Sequence, residues 1–277
     1  MIFQKLKAYW KSKRKRLSPF LFGEAYYKKQ ILENNLDQIK ILALGSSLCA
    51  RSFNADLIPN SINFGMADQD LYTTHWLFAK YLPHMIKLKK VIYFYGIFTP
   101  GHELEKTHQE KTMAIHHYIF GVPYHVNFLK KWHKAYMHRL KGIQRATVTS
   151  SYNPPSNNFD THPANPNGLA LAHLKNNNRG TNQTRYLEQI YQLCKTHDIK
   201  LYVAIAPVRK DYIQALGDET DEHLFRELFA FTQKEHISVF NKMRDTSFTD
   251  TEFFDCDHLN YTGASHFTQL LSDFIKN

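Results

Sequence analysis

Five short apolar runs, at residues 39–44, 61–64, 91–95, 199–206 and 236–240, are separated by helically patterned segments, and this alternation most limits how the chain can fold. A strand followed by a helix before the next strand cannot close a hairpin, so neighbouring strands lie parallel and the crossovers cover both faces of the sheet. Helical patterns fall at 20–35, 69–82, 183–196, 221–235 and 263–275. In the third of these, Tyr186, Ile190 and Leu193 recur at three- and four-residue spacing, which gives one stripe to bury. A chain of 277 residues can bury a sizeable core. The expectation is one α/β domain with a central parallel sheet, and such sheets bind ligands beyond the carboxyl ends of their strands.

Small residues sit at those ends. Gly45-Ser46-Ser47-Leu48 follows the first run, Gly65 follows the second and Gly96 the third, so one sheet edge gathers all three. Far downstream comes Asp255-Cys256-Asp257-His258-Leu259-Asn260. A serine hydroxyl is a poor nucleophile near neutral pH; it needs a histidine base within hydrogen-bond reach, and that imidazole needs an orienting carboxylate. Ser47, His258 and Asp255 supply the three parts. The plainer reading of Ser47 is a turn serine satisfying backbone groups. Cys49 and Cys256 flank the nucleophile and base in sequence, so a thiol nucleophile is the rival, although a free cysteine more often packs as a small hydrophobe. Asp257 is the alternative carboxylate, assigned to solvent or loop capping because its adjacency to His258 makes side-chain pairing awkward.

Gly45-Ser46-Ser47-Leu48 resembles the first block of the SGNH (GDSL-type) hydrolases, whose serine follows the first strand. Asn63-Phe64-Gly65 resembles the second block, and Asp255-x-x-His258 with Leu259-Asn260-x-x-Gly263-Ala264 resembles the last. At the third block the family has Gly-x-Asn-Asp, whereas this chain has Gly96-Ile97-Phe98-Thr99. The resemblance implies a three-layer, flavodoxin-like fold, a triad of Ser47, His258 and Asp255, and oxyanion donors at the backbone of Ser47 and Gly65; with the third-block asparagine absent, a backbone group at Gly96 or Phe98 is expected to replace it. It also implies acyl transfer through a serine acyl-enzyme. Bacterial polysaccharide O-acetyltransferases are similar in kind, so the preferred expectation is an O-acetyltransferase acting on a cell-surface polysaccharide, with acetyl-CoA as donor and no tightly bound cofactor. A carbohydrate esterase and a non-catalytic glycan- or membrane-binding module stand as alternatives.

The formal charge of +10 is uneven. Lys5, Lys7, Lys11, Lys13, Arg14, Lys15 and Arg16 are interleaved with Phe3, Tyr9 and Trp10, which reads as a peripheral anchor for anionic lipid or as a solvated basic helix. A second basic stretch runs from Lys130 to Lys141. The organisation expected is a basic segment over 1–35 and an SGNH-like domain over 36–277, with residues 101–182 inserted after the third strand as a lid or acceptor-binding element that holds a polysaccharide over Ser47. His102, His116, His117 and His125 lack the partner spacing of a metal site, so no metal is expected. No recognition motif accompanies the charge, which makes nucleic acid an unlikely partner. Three scattered cysteines, no signal-peptide core and no apolar stretch near the ~20 residues of a membrane-spanning helix lead to the expectation of a cytoplasmic protein, in peripheral contact with the inner membrane.

Overall fold

The computed structural model describes residues 17–107, 109–125, 129–142, 150–152, 165–178 and 183–276. The basic run from Lys5 to Arg16 and the polar run 153–158 lie outside them. Strands β1 (Ile41–Gly45), β2 (Ser61–Asn63), β3 (Lys90–Phe94), β4 (Lys200–Ile205) and β5 (Ser238–Asn241) form one sheet in the order β2-β1-β3-β4-β5, and every pair is parallel. This is the flavodoxin-like, doubly wound order, in which the chain reverses direction across the sheet beside β1. All five apolar runs become strands, with ends shifted by one or two residues.

The helices are α1 (Pro19–Asn35), α2 (Ser47–Ser52), α3 (Leu71–Tyr81), α4 (Glu110–Phe120), α5 (His133–Gly142), α6 (Pro166–Asn177), α7 (Thr184–Thr196), α8 (Lys210–Ala215), α9 (Asp221–Leu224), α10 (Arg226–Lys234) and α11 (Tyr261–Lys276). Side chains alternate across the sheet with period two. Leu42, Leu44, Val91, Tyr93, Val203 and Ile205 face a core filled by α1, α3, α4 and α7. Ala43, Ile92, Phe94, Tyr202 and Ala204 face a second core filled by Cys49 and Phe53 near α2 and by Phe267, Leu271 and Ile275 of α11. Two separate cores on two faces make the three layers. Among the described residues, no helix is long and apolar enough to cross a membrane.

Local chemistry sets the ends. Asp70 caps α3 by accepting from Thr73 N at 2.8 Å, and Asn165 caps α6 with Pro166 at its first turn. Asn260 Oδ1 accepts from Gly263 N at 3.1 Å, so α11 starts two residues before its periodic stripe. The helix expected at 221–235 breaks at Phe225 (φ −115, ψ 22), whose ring is buried against Tyr95 with 6.2 Å between centroids. That contact turns Phe225 toward the carboxyl ends of the strands.

The inserted region is corrected in part. Its α4 packs on α1, where Lys29 Nζ donates to Ile119 O at 2.9 Å. The basic helix α5 rests on α1 and α4 through Tyr136, stacked on Tyr118 at 4.9 Å and tilted against Phe22 at 5.8 Å, and Arg139 Nε donates to Leu17 O at 2.8 Å. Ser151 Oγ accepts from Asn63 N at 2.9 Å along the outer edge of β2. Among the described residues, α6 is the inserted helix that lines the pocket beside the candidate nucleophile, and Asn177 Nδ2 braces it to Ile97 O at 2.7 Å and Leu224 O at 3.0 Å. Aromatic residues on α5 need burial and find it on α1, which is why the basic stretch lies there and not over Ser47.

Candidate active site

The turn after β1 is built for close approach. Gly45 has φ +144, and a Cβ on it would stand 2.9 Å from Phe94 O, so a side chain is excluded by backbone on both counts. Ser46 then caps α2 by accepting from Leu48 N, and Ser47 becomes the first helical residue. A Cβ on Gly65 would stand 2.7 Å from Ala50 N, so the turn after β2 lies directly against α2. Asn63 joins the two: its Nδ2 donates to Cys49 O at 2.9 Å and Phe53 O at 2.7 Å, tying down the carbonyls at the end of α2.

Residues 253–259 bring His258 to this turn. An antiparallel bridge pairs Phe253 with Leu259, and Phe254 N donates to His258 O at 2.8 Å, which closes a tight loop before α11. Asp255 Oδ1 accepts from the backbone N of Asp257 at 3.1 Å and of His258 at 2.8 Å, curling the chain around its own carboxylate. His258 Nδ1 stands 2.9 Å from Asp255 Oδ2, and its Nε2 stands 2.9 Å from Ser47 Oγ. The first and last blocks of the sequence therefore meet as a continuous serine–imidazole–carboxylate relay.

Asp257 differs from its sequence assignment. Instead of facing solvent it is buried, with its side chain 5% exposed, and its Oδ1 lies 3.1 Å from His258 Nδ1. The curl imposed by Asp255 turns adjacent side chains toward one ring. Burial alone would lower the His258 pKa, but the Asp257 charge and the Asp255 hydrogen bond outweigh it and push it up to about 10. Burial would likewise raise the Asp255 carboxyl, yet the hydrogen bond and charge of His258 hold it well below the usual carboxylate range.

Two of the three expected oxyanion donors have partners within the protein. Gly65 N donates to Asn63 Oδ1 at 3.1 Å, and Gly96 N donates to Thr99 Oγ1 at 2.9 Å. Side-chain acceptors close at hand have committed both N–H groups. Of the three, the Ser47 N–H remains, at the first position of α2, where a helix has no acceptor of its own for it.

Beside the relay lies a narrow pocket walled by Leu48, Tyr95, Phe98, Val208, Phe225 and Met243 and reaching Asp257. His173 of α6 and Tyr212 of α8 complete it, with His173 Nδ1 2.7 Å from the Tyr212 hydroxyl and its ring 4.7 Å from that of Phe98. The sequence reading missed His173 and Tyr212; the Asn165-Pro166 pair that starts α6 was the signal available. Burial pushes the Cys49 thiol up to about 12, which leaves it a packing residue under α2. His102, His116 and His117 each engage a separate oxygen, on Asp68, Tyr124 and Val122 respectively, and His125 pairs with Glu105, so the four do not converge.

No family model matches this sequence, and no curated protein matches it. Among solved structures, it is similar to a GDSL-like lipase from Bacteroides thetaiotaomicron (11% identity, 91% of this chain and 98% of that one, TM-score 0.45). It is also similar to a protein from Bacteroides fragilis provisionally described as an acylhydrolase (11% identity, 90% and 95% of the chains, TM-score 0.44).

Proposed function

We propose that the chain is a serine-dependent acyl-transfer enzyme of the SGNH type, with Ser47 as nucleophile, His258 as base and Asp255 as the carboxylate that orients it. The observation that carries this reading is the relay from Ser47 Oγ to His258 Nε2 and from His258 Nδ1 to Asp255, with both steps at 2.9 Å. Neutral His258 takes the Ser47 proton as Oγ attacks the carbonyl carbon of an ester or thioester. The Ser47 N–H faces the oxyanion that develops, a donor of a kind worth about 3 kcal/mol in such sites. The imidazolium then protonates the departing alcohol or thiol, leaving an acyl group on Ser47. An acceptor hydroxyl then gives its proton to His258 and takes the acyl group, and His258 passes that proton to Ser47 Oγ as the ester bond to serine breaks.

The pocket wall of Leu48, Phe98, Val208, Phe225 and Met243 suits a short apolar acyl chain. For the acceptor we propose a hydroxyl of a bacterial cell-surface polysaccharide, with acetyl-CoA as donor. The formal charge of +10 supports an anionic glycan. Water in place of the sugar makes the protein a carbohydrate esterase. The intact relay speaks against a purely binding module.

The test pairs labelling with turnover. A fluorophosphonate should label Ser47 in the wild type and nothing in Ser47→Ala. Acetyl-CoA should be consumed slowly alone and much faster with an anionic bacterial polysaccharide, with acetyl recovered on sugar. Release of acetate from an acetylated polysaccharide, without transfer from any donor, decides for the esterase. Labelling that survives in Ser47→Ala removes the proposed nucleophile.

A further inference from the structure

His258 faces two carboxylates where a relay needs one. Asp255 and Asp257 both approach Nδ1, at 2.9 and 3.1 Å. Asp255 is explained by its work in the loop, where it also accepts the two backbone N–H groups of residues 257 and 258. Asp257 has no such work. Its Oδ1 is inaccessible to solvent and accepts no hydrogen bond among the described residues, and the imidazole of His258 is the group that stands beside it, at 3.1 Å. A buried carboxylate without a partner costs several kcal/mol, which is too much to persist unless a positive charge sits beside it.

The surroundings give that charge its reach. Asp257 lines the apolar pocket with Leu48, Val208, Tyr212 and Met243, so little water screens it from the ring. The other polar groups facing this corner are Ser47 from α2, the neutral pair His173 and Tyr212 from α6 and α8, and Asp255 itself. No lysine or arginine lines the pocket among the described residues. Arg209, whose backbone N donates to Cys256 O at 2.9 Å, turns its guanidinium to Asp211, so the His258 ring is the basic group set directly against both carboxylates.

We propose that Asp257 is a positioning residue for the base, a second carboxylate that holds His258 in its protonated form at rest and so makes acyl transfer accelerate as the pH rises above neutrality. The inference rests on the acyl-transfer reading of Ser47. A protonated His258 cannot accept the serine proton, so below its midpoint the rate follows the neutral fraction and drops about tenfold per pH unit. Above the midpoint the same carboxylate helps, because it stabilises the imidazolium formed as Ser47 attacks.

The experiment compares Asp257→Asn with the wild type in two ways. The pH profile of kcat/KM on p-nitrophenyl acetate should shift its midpoint acidward by roughly one to two units. The variant should be faster than the wild type at pH 7 and slower on the alkaline plateau. In Ser47→Ala, which has no turnover, the His258 ring is titrated by NMR with and without Asp257→Asn, and the midpoint should move acidward in the same sense. Asp257→Ser serves if the Asn variant does not fold. An unmoved His258 titration overturns the proposal, as does a divalent-metal requirement that Asp257→Asn abolishes, since Asp257 would then be a ligand. A shifted titration in a protein inactive on every ester upholds the pairing and overturns the acyl-transfer reading instead.

Discussion

Lys28 reaches from α1 to the turn behind Ser47, where its ammonium donates to the carbonyl oxygen of Gly65 and, at 3.0 Å, to Asn63 Oδ1. The side chain is buried, and burial lowers its pKa against the opposing pull of Glu24. Asn63 Oδ1 also accepts from Gly65 N at 3.1 Å, so one lysine and one amide hold the loop against α2.

Replacing Lys28 by Met keeps the volume and removes both donors. The Gly65 carbonyl is then left buried without a partner, and unfolding free energy should fall by about 1–3 kcal/mol. Chemical denaturation measures this. A stability equal to or above the wild type would mean that desolvating the ammonium costs more than its hydrogen bonds return.

Asp255→Asn keeps the shape of the orienting group but removes its charge and allows the wrong ring tautomer at His258. Activity should fall by roughly 10³–10⁴-fold at each pH, a loss of the size seen when triad carboxylates are neutralised. Asp257→Asn should instead trade rate at one pH for rate at another. Steady-state kinetics across the pH range separates the two variants, and parallel losses in both would sink the distinction.

Stability should carry the same signature. His258 is raised in the folded state to about 10 from an ordinary 6.5, so its stabilising contribution is fully present below pH 6.5 and is lost as the pH climbs through 10. Asp255 is lowered, so its contribution is present above the ordinary 3.8 and is lost only as the pH falls through its folded value. The Tm difference between wild type and His258→Gln should thus be at its full size up to pH 6.5 and shrink from there toward pH 10. A constant difference would show that the ring is neutral throughout.

Val208 lines the pocket at partial exposure, so a larger side chain there fills open space at small cost to the core. Val208→Phe should leave p-nitrophenyl acetate turnover within a few-fold and cut that of the butyrate and hexanoate by an order of magnitude or more. Equal losses on all three esters would place the acyl chain elsewhere.

The sheet was legible because its strands are short apolar runs divided by helices, a pattern that needs no tertiary knowledge. Ser47, His258 and Asp255 were legible because the last two share one loop and the first follows a strand. Asp257 was not, since adjacent side chains ordinarily diverge, and only the two backbone N–H groups gripped by Asp255 turn them together. The commitments of Gly65 and Gly96 had a local sign, an Asn two residues before one and a Thr three residues after the other, both able to accept a nearby N–H. His173 was hidden by its setting. The helix that carries it lies within a region rich in Pro and Asn, and its place beside Tyr212 depends on how α6 meets α8.

The hydrogen bond between Ser47 and His258 also fixes when the chain can become reactive. The two residues are 211 positions apart, so at about 5–20 residues per second a ribosome needs roughly 10–40 s to pass from one to the other. During that interval Ser47 is an ordinary alcohol, without a base and with α11 not yet made to cover the face on which α2 packs. On the proposed reading of Ser47 as nucleophile, a growing chain is thereby protected from acylating itself on a diffusing thioester, and reactivity arrives only once His258 has been made and folded against Ser47.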